Sequence, residues 1–224
     1  MMQSPADTFI VPVCHEQVEI LYQDEHILLI NKPTRLLSLS GKHPLNKDSV
    51  HFRLVQDFPT ATLAHRLDFG TSGIMLVALN KAVNGLLTKQ FQARTTHKNY
   101  TALLHGHVLS DEGYVDFPIA KDRANFPLQK ICTEEGKTAF TQYQVLERLV
   151  SPNITRVCFK PVSGRTHQLR IHSRAMGHSI LGCDLYAHDE AYAMADRLML
   201  HATTIAFDHP VTGKRINGVC ANPF

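Results

Sequence analysis

The chain has 224 residues, 44% hydrophobic and 19% charged, which excludes disordered and fibrous classes and fits an ordinary globular protein. Its 23 Lys and Arg against 20 Asp and Glu give a net charge of +3, which excludes a polycationic tail and leaves room for a local basic surface. No apolar run reaches the length of a membrane span. The opening MMQSPADTFIVPV lacks the basic and apolar regions of a secretory signal. Five cysteines, odd in number and without CxxC spacing, argue against a disulfide framework or zinc ribbon and for a reduced, cytoplasmic setting.

Residues 1–17 are expected to be loose, and residues 18–224 to form one domain, because no composition break divides them. Residues 18–22 and 27–30 read as short strands around the polar turn Gln23-Asp24-Glu25-His26. Pro33 ends the second, since proline cannot donate to a ladder. Gly41, Pro44 and Asn46 mark a loop, and residues 49–58 read as a helix with Val50, Leu54 and Phe58 on one face. The apolar run 74–79 predicts a buried strand. Asn80 is placed to cap a helix reaching Arg94, with Val83, Leu86, Leu87 and Phe91 as its stripe.

Residues 100–108 return to a strand pattern, and Pro118, Pro127 and Gly136 then predict a long irregular connection. Residues 140–146 and 155–162 read as a strand pair, followed by a turn at Ser163-Gly164. A helix over 166–176 ends at Gly177, and residues 198–207 form a strand before a turn at 209–213. Strands and helices alternate without a βαβ rhythm, so the fold class is α+β with a mixed, mostly antiparallel sheet.

The modest net charge hides a segregation. Residues 148–183 carry Arg148, Arg156, Lys160, Arg165, Arg170 and Arg174 and no acid; residues 69–110 carry Lys81, Lys89, Arg94 and Lys98 and no acid. Arg170 and Arg174, four apart, are expected on one helical face, where they cannot neutralise each other. These stretches suit phosphates, and they would also serve as solvated helix faces.

Two segments concentrate chemistry. Ala64 to Gly73 holds His65, Arg66, Asp68, Thr71 and Ser72 with two glycines, ahead of a buried strand. Such a loop can present Asp68 as an ionised carboxylate, kept charged by Arg66 and His65; Asp68 could equally cap a turn. In the second, Ser163 to Arg170, Arg165 is expected near a helix N-terminus, where a cation opposes the dipole and an anionic partner would account for it.

His65-Arg66-Leu67-Asp68 followed by Thr71-Ser72-Gly73 resembles the HRLDxxTSG signature of the RluA-type pseudouridine synthases. The resemblance continues at Asn31-Lys32-Pro33, Lys98-Asn99-Tyr100, Gly164 to Arg170, Leu198 to Ala202 and His209 to Gly213, in the same order. It is closest to the short members that modify both tRNA and 23S rRNA, without the S4 RNA-binding domain that other members carry. Two positions depart from the pattern: Arg35 stands where the family usually has glycine, and Cys183 where it has aspartate, with Asp184 one place later.

The resemblance implies a single pseudouridine synthase catalytic domain that isomerises uridine in the tRNA anticodon stem-loop and in 23S rRNA. The N1–C1′ bond breaks and C5 joins C1′ without redox change or hydrolysis, so no cofactor and no metal are expected. It assigns Asp68 as the carboxylate, Arg165 as its basic partner and Tyr100 as the tyrosine that packs on uracil and takes the C5 proton. Arg66 would fill the space of the flipped base, which costs a few kcal/mol to extrude. Ile171 and Leu200 would wall the uracil or pack the core, and Lys98, Arg170 and Arg174 would contact phosphates. A monomer is expected.

Three other readings make different demands on the sequence. A synthase restricted to tRNA or to rRNA fits the same motifs. A non-catalytic RNA-binding module predicts loss of Asp68, Tyr100 or Arg165, and all are present. A hydrolase or phosphodiesterase would want clustered carboxylates or a GxSxG elbow, which the chain lacks.

Overall fold

The structure, a computed structural model, describes residues 10–224; residues 1–9 of the expected loose segment lie outside it. The chain divides into two compact units, one of the described residues up to Lys98 with Ala202–Pro223, the other of Asn99–His201 with Phe224.

The first unit begins with residues 10–18, which form no regular element. Arg53 nevertheless donates to the carbonyls of Cys14 and Glu16 while its guanidinium pairs with Asp48 at 2.7 Å. Its strands are β1 (Glu19–Gln23), β2 (Ile27–Lys32), β3 (Thr62–Leu63), β4 (Ser72–Ala78), β11 (Leu200–Asp208, in this unit from Ala202) and β12 (Arg215–Val219). They order as β1-β2-β4-β11, with β3 on β4 and β12 on β11. β1–β2, β2–β4, β3–β4 and β11–β12 are antiparallel, and Leu37 makes an isolated parallel bridge to Ser49.

β4 is buried at every position and β2 at all but one, which is why both read as continuous apolar runs instead of alternating. Helix α1 (Val50–Asp57) is capped by the Ser49 hydroxyl on Phe52 N–H. Helix α2 (Lys81–Ala93) packs on β4 and β3 through buried Val83 and Leu87. Asn80 caps it by accepting from Val83 N–H at 2.9 Å, as the spacing predicts. Leu86, expected in the buried stripe, is instead exposed, because the contact face of α2 is narrower than its apolar pattern.

The second unit orders β5 (His97–His105, in this unit from Asn99), β10 (Ile154–Pro161), β9 (Thr141–Leu149) and β6 (Glu112–Val115) as an antiparallel series. A separate hairpin, β7 (Ile119–Lys121) with β8 (Gln129–Ile131), occupies the stretch expected to be irregular. Helices α3 (Gln168–Ala175) and α4 (Asp189–Ala193) complete it. Its core joins Ala102, Leu104, Val157, Phe159, Leu169, Ile171, Tyr186 and Leu200. The α+β class with a mostly antiparallel sheet is borne out.

Candidate active site

In the first unit, residues 64–71 run between β3 and β4 and carry Asp68. The loop is outside any ladder, so side chains from residues 32–38 take up its backbone groups. The Ser38 hydroxyl donates to the Leu67 carbonyl at 2.7 Å and accepts from Leu67 N–H at 3.1 Å. Thr34 donates to the Gly70 carbonyl at 2.7 Å. Lys32, wholly buried, donates to the carbonyls of Pro33 (2.8 Å), Leu36 (2.7 Å) and Phe69 (3.2 Å), which take the place of water around its ammonium. Thr71 N–H closes a turn onto the Asp68 carbonyl at 3.1 Å. Leu67 is buried, Arg66 is exposed and Asp68 is half-buried, so the central side chains of the motif leave the loop in different directions.

His65 does not act as expected. Its Nε2 accepts from Leu76 N–H at 3.0 Å and its ring lies 4.9 Å from that of Phe91. Burial, with the Lys98 charge adding to it, pushes its pKa down to about 3. The ring is neutral at physiological pH and supplies no positive charge to Asp68, a correction to the sequence reading. Lys98 lies 5.8 Å from the Phe91 ring centroid, and burial lowers its pKa.

In the second unit, Arg165 lies between β10 and α3. Gln168 is buried and uses both ends of its amide. Its oxygen accepts from Ser163 Oγ–H (2.8 Å) and Arg165 N–H (3.0 Å), and its nitrogen donates to the Phe140 carbonyl (3.1 Å) and Thr141 Oγ1 (2.9 Å). The Arg165 side chain is tied as well, Nε donating to the Thr138 carbonyl at 3.0 Å. His167 takes a left-handed conformation with φ of 57° and places Nδ1 2.7 Å from the Tyr186 hydroxyl. α3 therefore starts at Gln168, two residues later than expected, and Arg165 stands three residues ahead of it.

Tyr100, in β5 opposite Phe159, is half-buried against the core cluster that contains Ile171 and Leu200, which are 5% and 3% exposed. Arg174 is exposed in the last turn of α3, where a cation complements the dipole. Arg170 corrects the sequence reading: it is 4% exposed, pairs with Asp184, donates from Nε to Cys183 Sγ at 3.3 Å and lies 5.2 Å from the Tyr186 ring. Its charge is spent inside the chain, so it shares no phosphate-facing surface with Arg174.

Asp68, Arg66 and Lys98 thus belong to the first unit, and Tyr100, Arg165, Ile171, Leu200, Arg170 and Arg174 to the second. The supporting roles of Thr34, Ser38 and Tyr186 were missed. They sit in loops, where no periodicity singles out a side chain that holds backbone. Among the described residues no cluster of His, Cys, Asp or Glu could hold a metal ion, and no helix is long and apolar enough to cross a membrane.

A family model described as RNA pseudouridylate synthase matches residues 26–175, which include Asp68, Tyr100 and Arg165. The dual-specificity RNA pseudouridine synthase RluA of Yersinia pestis is 50% identical over 205 residues, covering 92% of this chain and 99% of that one. The protein of the same name from Escherichia coli K12 is 49% identical over 194 residues, covering 87% and 88%. Among solved structures, human RNA pseudouridylate synthase domain containing 1 aligns with a TM-score of 0.80 at 30% identity, over 95% of this chain and 86% of that one.

Proposed function

The chain belongs to the RNA pseudouridylate synthase family and is an RNA pseudouridine synthase, an isomerase, and from that premise we propose that it modifies uridines in both the tRNA anticodon stem-loop and 23S rRNA. The dual-specificity name of relatives half identical over nearly the full chain supports this range of targets.

In the proposed mechanism Asp68 is the ionised carboxylate that acts at ribose C1′ or uracil C6 once the uridine has been flipped from its stack. The N1–C1′ bond breaks, the base turns, C5 bonds to C1′, and the C5 proton is lost as N1 gains one. Arg165 is the basic partner of the carboxylate, favouring its ionised form. Tyr100 packs on the uracil, backed by the cluster that includes Ile171 and Leu200, and takes the C5 proton. Arg66 fills the vacated space, and Arg174 and Lys98 meet phosphates. Cytoplasmic location is supported by five free cysteines.

The observation that carries the proposal is the intact HRLDxxTSG loop, which lies within the family-matched span and whose backbone is held on both sides of Asp68. The test follows tritium release from C5-tritiated uridine in transcribed tRNA and 23S rRNA fragments. Wild-type protein is expected to release tritium from both, and Asp68→Asn to lose at least 10³-fold, roughly the scale of removing a catalytic nucleophile. Tyr100→Phe should bind RNA and turn over far more slowly. Release from one RNA only would restrict the target range, and an active Asp68→Asn would remove the assignment.

A further inference from the structure

We propose that Thr34 and Ser38 are positioning residues for the Asp68 carboxylate, a role that rests on the reading of Asp68 as the catalytic group. Asp68 belongs to a loop with no ladder of its own, so the direction of its side chain depends on the backbone at residues 67–70. Ser38 grips the residue before Asp68 by both backbone groups, at 2.7 and 3.1 Å, as a rung of a ladder would. Thr34 holds the carbonyl two residues after it, at 2.7 Å. Both side chains are buried, so water does not replace either bond when the hydroxyl is removed.

The far side of the clamp is itself fixed. Val50 N–H donates to the Leu37 carbonyl at 2.8 Å and His51 N–H to the Ser38 carbonyl at 3.2 Å, which tie the segment to the start of α1. Lys32 on β2 closes the other end through the Phe69 carbonyl. The clamp therefore ties the loop to β2 and α1. Neither Thr34 nor Ser38 needs to touch RNA to do this, so their loss should lower turnover and leave binding alone.

The experiment measures kcat and KM for tritium release from a transcribed tRNA anticodon stem-loop, well below Tm, per mole of protein folded by near-UV circular dichroism. Thr34→Val and Ser38→Ala are each expected to lower kcat roughly tenfold and together roughly 100-fold, the penalty of a displaced catalytic group, with KM within about twofold of wild type. Thr34→Ser, which keeps the hydroxyl, should restore kcat. If Ser38→Ala does not fold, Ser38→Cys keeps the volume and is read by the same kcat criterion. Wild-type kcat in Thr34→Val and in the Ser38 variant, beside an inactive Asp68→Asn, would overturn the proposal; activity in Asp68→Asn would instead overturn the reading beneath it.

Discussion

A histidine three residues before the proposed catalytic carboxylate suggests a role in its charge, and the surroundings of His65 deny it one. Its folded pKa of about 3 lies below the unfolded value of 6.5. The unfolded chain therefore binds the proton first, and His65 stabilises the fold fully above about pH 6.5. That contribution fades as pH falls towards 3, by no more than roughly 5 kcal/mol. His65→Gln, which can still accept from Leu76 N–H, should lose less stability than wild type between pH 7 and pH 4 in urea titrations; equal losses would contradict this. Arg35 shows the opposite relation of residue to backbone. It is exposed with φ of 56°, at the place where the family pattern usually has glycine. Left-handed backbone costs roughly 1 kcal/mol for a residue with a Cβ, and glycine returns part of this through its unfolded-state freedom. Arg35→Gly is expected to leave stability unchanged or raise it by up to about 1 kcal/mol, read as a shift in Tm.

Strand β4 is where the Asp68 loop meets the sheet, and Gly73 makes that junction possible. Its φ is 111°, and a Cβ there would lie 2.2 Å from the Ala202 carbonyl oxygen, a backbone atom that cannot step aside. Gly73→Ala should cost about 3 kcal/mol or more, combining strain with a displaced strand, and should fail to give a normal thermal transition. Helix α2 was legible at both ends. Asn80→Ala should cost about 1 kcal/mol in equilibrium unfolding through loss of the cap. The elements that escaped notice share a cause: β3, β6, β7, β8, β12 and α4 have two to five residues and none is mostly buried, so no buried stripe marks them. The start of α3 was misplaced for a different reason. The Gln168 amide occupies Ser163 and Arg165 N–H, which holds the preceding residues outside the helix.

For the whole molecule, the segregation of charge along the chain is partly undone in space. Of the six cations between residues 148 and 183, Arg148 pairs with Asp111, Arg156 with Glu147 and Arg170 with Asp184. Arg170→Ala should destabilise the protein by about 2 kcal/mol or more, since it empties the space of a side chain that is 4% exposed and packed on the Tyr186 ring. Arg174→Ala should leave Tm unchanged and reduce the slope of log binding against log salt by about one. The chain passes between the compact units inside strands β5 and β11, and again only at its last residue, so composition carries no mark of the division. The α+β class, the family and the reaction were legible in the amino-acid sequence, because long motifs and buried apolar runs are local properties of the chain. Tertiary structure alone decided that His65 is neutral, that Arg170 is buried and that Thr34 and Ser38 grip the Asp68 loop. Burial and hydrogen-bond partners are properties of atoms brought together from distant positions, and linear spacing does not encode them.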